Sequence, residues 1–151
     1  MPSTRKFVDL SNVIFREMDG EEVEEVIDLE YEVLGSSVFV KISTLPYYKK
    51  VIVADAGEIV GCAVVYWDSE MFRLGSIAVK EEYRGKGVGM ELIKKCTEIA
   101  EELGYDSVWL EVSISNHTAI EIYKKSGFKV YKTIKHFYGI GKHAYRMVYY
   151  V

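Results

Sequence analysis

Between Lys50 and Val79 three strand-forming stretches follow one another with only short turns between them. Val51-Ile52-Val53-Ala54 leads through Asp55-Ala56-Gly57-Glu58 into Ile59 to Trp67, and Asp68-Ser69-Glu70 leads into a third stretch from about Phe72 to Val79. A parallel crossover needs roughly a dozen residues or more, so stretches joined this tightly form an antiparallel meander. Gly57 can take the positive φ that a tight turn requires. A doubly wound parallel sheet is thereby excluded.

The clearest helix comes next, Gly87 to Leu103, with Leu92, Cys96, Ile99 and Leu103 on one stripe, widened by Ile93 and Ala100. Glu91 with Lys95 and Lys94 with Glu98 are spaced to pair on the wet side, and Gly104 suits the stop. Ser107 to Ser113 then reads as a strand, Asn116 to Lys125 as a short helix ended by Gly127, and Phe128 to Tyr138 and Ala144 to Val151 as two more strands. Upstream, Val13 to Met18 reads as a strand. Asp19 with Glu22 resembles a capping box, and Val23, Ile27, Tyr31 and Leu34 fall on one helical stripe. Gly35 to Lys50 is a loop or short helix: Val38 to Ile42 is extended by propensity, and Pro46 breaks any helix reaching it. The expected fold is α+β (mixed α/β), a mostly antiparallel central sheet flanked by helices in a single domain over residues 1–151.

Composition narrows the function. The formal charge of −4 over 151 residues argues against a binder that neutralises many phosphates, so no nucleic-acid partner is expected. Cys62 and Cys96 stand apart, without the spacing of a metal site or redox pair, so no metal is expected. The apolar run Cys62 to Trp67, with Ile59 and Val60 just upstream, is far shorter than the roughly 20 residues that cross a bilayer, and Met1 to Lys6 opens no signal-like stretch. No membrane partner is expected, and the cytoplasm is the expected location. Twelve tyrosines against six phenylalanines supply many rings with a polar end.

Arg84-Gly85-Lys86-Gly87-Val88-Gly89 joins the third meander strand to the strongest helix. Helix N-termini have amides without intrahelical acceptors and the positive end of the macrodipole, and missing Cβ atoms let an anion approach the backbone. A Walker loop would need Ser or Thr after Gly85-Lys86, where Gly87 stands. The dinucleotide fingerprint would need Gly or Ala at Met90.

The loop matches the (Q/R)xxGx(G/A) motif of the GCN5-related N-acetyltransferase (GNAT) superfamily. Leu110-Glu111-Val112, Ser115-Asn116, Ala119-Ile120, Tyr123 and Gly127-Phe128 are similar to the LEV…SNxxAIxxYxxxGF signature of its RimI-like N-terminal acetyltransferases. Phe137 to Met147 resembles that subgroup's YYxxGxDAxxM, with Phe137 for the first tyrosine and His143 for the aspartate; Ser113 stands where arginine is frequent. The resemblance spans about Val13 to Val151.

It implies an acetyl-CoA-dependent enzyme that acetylates the N-terminal α-amine of proteins or peptides in a direct ternary complex. In the family's arrangement Arg84, Gly85, Lys86, Gly87, Val88 and Gly89 hold the donor's pyrophosphate. Ile77, Ala78 and Val79 pair with the pantetheine arm where two strands splay, and Asn116 caps a helix and contacts the same arm. The resemblance assigns Glu111 as general base and Tyr123 as the acid that protonates the leaving thiolate. By periodicity alone Tyr123 is equally a packing residue. Tyr31 and Tyr138 are expected to clamp the acceptor, with core packing the other reading of Tyr31. His117 is expected to be exposed rather than a proton relay. A small-molecule amine acceptor, such as a polyamine or antibiotic, and a non-catalytic acyl-CoA-binding module are the alternatives. The oligomeric state, monomer or homodimer, is left open.

Overall fold

The computed structural model describes residues 10–151; Met1 to Lys6 lies outside them. One seven-stranded sheet runs in the order β1-β2-β3-β4-β5-β7-β6. The strands are β1 (Ile14–Glu17), β2 (Tyr48–Asp55), β3 (Ile59–Trp67), β4 (Phe72–Val79), β5 (Ser107–Ser113), β6 (Lys129–Ile134) and β7 (Ala144–Tyr150); the helices are α1 (Val23–Leu34), α2 (Val38–Ser43), α3 (Val88–Glu102) and α4 (His117–Lys125). All pairings are antiparallel except β4 with β5. The expected α+β architecture and the meander are both present.

Helices cover both faces of the sheet, which is why β3 is apolar almost throughout. Its Val60, Ala63 and Val65 pack towards Leu92, Ile93 and Cys96 of α3, whereas Ile59, Cys62 and Val64 pack towards Val26 and Leu29 of α1. A strand buried on both sides reads as a continuous hydrophobic run instead of alternating.

In β4 this alternation changes phase. Phe72 and Leu74 face the α3 side, but Ser76 and Ala78 face the α1 side. The cause is Gly75, an extra residue in the pairing with β3: Val65 lies opposite Leu74 and Val64 opposite Ser76. Such a bulge exchanges the faces of everything beyond it and bends the strand. A Cβ on Gly75 would come within 2.7 Å of Val38 Cγ1 and 2.9 Å of Tyr66 Cε1, so only glycine fits without displacement. Arg73 with Trp109, just before the bulge, is the one register pair between β4 and β5. Beyond it the two strands part.

Two local expectations need correction, and one open reading is resolved. The buried stripe of α1 is Val26, Leu29 and Glu30, not Val23, Ile27, Tyr31 and Leu34; Tyr31 is 52% and Leu34 43% exposed. The burial of Glu30 is the reason, because its carboxylate accepts from Ser37 Oγ at 2.7 Å, Ser76 Oγ at 2.9 Å, Val38 N at 2.9 Å and Phe39 N at 3.3 Å. Of the two readings of Gly35 to Lys50, the short helix is the one observed, at Val38–Ser43, against the extended propensity of Val38 to Ile42. Ser37 Oγ accepts from Val40 N at 3.0 Å, so with Glu30 three amides of the first turn of α2 are satisfied, and these caps override β-propensity. Finally, β6 ends at Ile134, and Lys135 to His143 form a turn with His136 at φ 59°.

The start of α1 is tied to the sheet edge by charge. Arg16 donates to both carboxylate oxygens of Glu22, at 2.8 and 2.7 Å, and to Asp55 at 3.1 Å, while Glu22 also accepts from Asp19 N at 2.9 Å. The Arg16 guanidinium and the Asp19 amide hold the Glu22 carboxyl down at about 2, from an ordinary 4.5. Because the folded-state value is the lower one, this stabilisation is fully present above about pH 4.5 and is lost as pH falls towards about 2. Urea midpoints measured across that window should fall, and Arg16→Gln should flatten this part of the fall.

Candidate active site

Two cavities open where β4 and β5 part. The first, about 360 Å³, runs from Arg84 and Gly89 past Val79, Ile93 and Ile122 to Ile77, Asn116 and Tyr123. The second, about 660 Å³, begins at the same Ile77, Asn116 and Tyr123 and extends to Glu111, Tyr138 and His143. Tyr123 thus sits at their junction.

The first cavity ends on the glycine loop. Gly85 and Gly87 have φ of 71° and 89°, conformations that β-carbon-bearing residues rarely adopt, and Gly87 is the N-cap of α3. A Cβ on Gly89 would meet nothing nearer than Val79 Cγ2 at 3.9 Å, so that glycine leaves open space beside the first turn of the helix. Arg84 Nε donates to Val79 O at 3.0 Å, tying the loop to the end of β4. Val88 is fully buried and offers only its backbone, and Ala78 is buried on the opposite face. Open space, the first-turn amides of α3 and the Arg84 charge suit a pyrophosphate.

The exposed edge of β4 follows from its pairing. Lys80 N donates to Val60 O at 2.8 Å, so Ala78, two residues back, turns its peptide groups towards β3, and Ile77 and Val79 turn theirs into the gap. Across the gap, Asn116 caps α4, its Oδ1 accepting from Ala119 N at 3.2 Å. His117 is exposed and lines neither cavity.

Tyr123 packs its ring on Phe128, with centroids 5.8 Å apart. Burial, followed by the neighbouring Cys96 and Tyr138, pushes its phenol well above the ordinary 10. Tyr138 is likewise pushed up by burial and then by Glu111. Glu111 and Arg146 are register partners on β5 and β7, and Arg146 Nη2 donates to Glu111 Oε1 at 3.2 Å. The structure therefore gathers Glu111, Tyr123, Tyr138, Asn116 and Ile77 around one space. Tyr31 is not brought there; α1 contributes Leu34 instead.

Sequence reading missed Arg146, Lys41 and Lys142. The last two line the larger cavity, whose His143 Nδ1 accepts from His136 N at 2.9 Å. Strand pairing was the signal for Arg146, since β5 and β7 were both predicted but their register was not.

The acetyltransferase (GNAT) family model matches residues 12–128. The chain belongs to that family. Within it, the chain is 44% identical over 73 residues to an N-alpha-acetyltransferase of Sulfurisphaera tokodaii, a match covering 48% of this chain and 44% of that protein. The matched region is thus less than half the length of that curated relative. A putative [ribosomal protein bS18]-alanine N-acetyltransferase of Bacillus subtilis is 27% identical over 128 residues, covering 82% of this chain and 85% of that one. Ard1 from Thermoplasma volcanium superposes with a TM-score of 0.78 at 28% identity, over 93% of this GNAT chain and 98% of its own.

Neither cysteine of this GNAT chain is placed for nucleophilic chemistry. Both are fully buried, and burial pushes the Cys62 thiol up to about 12 and Cys96 higher still. The Cys62→Ala/Cys96→Ala double variant should keep turnover within about twofold while losing ~1 kcal/mol of stability per site. Steady-state thiol release beside urea unfolding checks both. A large loss of turnover in the folded variant would point to an acetyl-enzyme intermediate.

Proposed function

We propose that the protein is an acetyl-CoA-dependent N-acetyltransferase whose acceptor is the α-amine of a protein or peptide N-terminus. The observation that carries this reading is the position of Tyr123 between a cavity that ends on the α3 N-terminus and one lined by Glu111 and Tyr138. Acetyl-CoA, when bound, supplies an acyl group activated as a thioester. Arg84 and the amides of residues 85–89 would hold its pyrophosphate, with the edge of β4 and Asn116 along its arm.

The protein's own groups then meet the needs of the transfer. Glu111, held by Arg146, takes a proton from the incoming ammonium, directly or through a water, and frees its lone pair. The Ile77 or Val79 amide donates to the carbonyl oxygen as negative charge develops there. As the C–N bond forms and the C–S bond breaks, Tyr123 gives its proton to the sulfur, and the second proton shed by the acylated nitrogen restores the phenol through water. Burial suits the phenol to that role by keeping it protonated. An α-amine, with an ordinary pKa near 8, asks less of the base than a lysine amine near 10.4. Tyr138 closes the acceptor side. We place this reaction in the cytoplasm, in a chain acting as one domain.

A thiol-release assay with acetyl-CoA against peptides with free N-termini, N-blocked lysine peptides and polyamines tests the reading. Turnover on free N-termini supports it. Turnover confined to polyamines would move the acceptor to small amines. Donor binding without turnover on any amine would indicate a binding module.

A further inference from the structure

The charges around the larger cavity have a sign opposite to that of the chain. Its lining includes two lysines, Lys41 on α2 and Lys142 in the turn before β7, and a single carboxylate, Glu111. Glu111 is already compensated by Arg146 at 3.2 Å. Neither lysine has a carboxylate within ion-pairing distance among the described residues, although the chain carries a net −4. Most acidic side chains of α1 lie elsewhere: Glu24, Glu25, Asp28 and Glu32, with Glu21 just before the helix, surround a separate hollow beside Lys80. Glu30 is buried behind Val38 and Ser76 of the cavity wall, its carboxylate taken up by Ser37, Val38, Phe39 and Ser76. The space beside Glu111 and Tyr138 is thus bordered by two cations, one from α2 and one from the turn before β7, that have no ion-pair partner among the described residues. Polyamines, which carry several positive charges, are poorly served by a border with two lysines and one carboxylate.

We propose that this cavity selects acceptors with an acidic side chain close to the free amine, so that the amine reaches Glu111 while the side-chain carboxylate lies between Lys41 and Lys142. The proposal rests on the assignment of an α-amine acceptor made above. Backbone and amine are common to all peptides, and the lysines act on what differs between them. Because both ammonium groups are solvated, each contributes as an exposed ion pair does, and the preference weakens with salt.

Three peptides identical except for Glu, Ala or Lys at the second position test it by their kcat/KM in thiol release. At low ionic strength the Glu peptide is expected to exceed the Lys peptide by roughly tenfold, the equivalent of one to two exposed pairs. In the K41Q/K142Q double variant that ratio should shrink towards one, and in K41R/K142R it should persist. Circular dichroism and thermal melting establish that both variants are folded. A Lys peptide equal to or better than the Glu peptide, or a ratio unchanged in K41Q/K142Q, overturns the charge selection and leaves α-amine transfer standing. Failure of all three peptides beside turnover of a polyamine overturns the acceptor assignment itself.

Discussion

Tyr123→Phe should lower kcat by about 10²- to 10³-fold while the donor's dissociation constant changes by less than about threefold. Only an oxygen and its proton are removed. The ring of Tyr123 packs on Phe128, and phenylalanine preserves that contact, so folding is expected to persist. What is lost is the one hydroxyl at the meeting point of the two cavities. A departing thiolate without a proton donor must find one in water, which the apolar walls formed by Ile77, Ala119 and Ile122 keep at a distance. The pH profile adds a second readout. Because burial raises the phenol above its ordinary value, the acid form persists through about pH 10, and the wild-type rate should show no tyrosine-dependent decline below that pH. Single-turnover thiol release with donor titration separates chemistry from binding. A packing role alone would leave kcat nearly unchanged.

Glu30→Ala should cost about 3–5 kcal/mol of stability, a large fraction of the roughly 5–15 kcal/mol typical of a domain. The carboxylate is fully buried and serves two hydroxyls and two amides drawn from the α1–α2 connection, α2 and β4. Truncation leaves those donors without an acceptor in a space that water does not freely reach, at about 1–3 kcal/mol for each group left unmade, less than additively. Glu30→Gln keeps the shape but turns one acceptor into a donor that faces other donors, so a smaller loss, about 2 kcal/mol, is expected. Urea denaturation measures both. The clasp also holds Val38 and Ser76, which line the larger cavity, so a weakened clasp should raise the acceptor KM more than the donor KM. Near-wild-type stability of Glu30→Ala would show that α2 is held by its apolar contacts.

Glu30 also marks the limit of what was legible in advance. Periodicity located α3 within a residue at each end and the bounds of β5 without error, because both elements bury residues by apolar pattern alone. It misjudged the phase of α1, where the deciding side chain is charged and is buried only because partners distant in sequence, Ser76 above all, satisfy it. The helix at Val38–Ser43 is legible only as one of two alternatives for the same reason, since its caps come from Glu30 as well as Ser37. At the site, the glycine loop and the segment from Glu111 to Tyr123 could be read because their chemistry depends on short spacings. The bulge at Gly75, the Arg146 partner of Glu111 and the two cavity lysines depend on strand register and on the approach of α2 to the last turn. No local pattern encodes those. The stripe that includes Tyr31 is out of phase with the buried face, so Tyr31 lies on the exposed side of α1.

The most direct test of the account uses one peptide with a free α-amine and one internal lysine, incubated with acetyl-CoA and the protein and then fragmented in a mass spectrometer. The account predicts a single acetyl group on the α-amine, formed in step with one released thiol, and nearly abolished by Tyr123→Phe. An acetyl group on the lysine alone, or an unmodified peptide beside an acetylated polyamine under the same conditions, would contradict it.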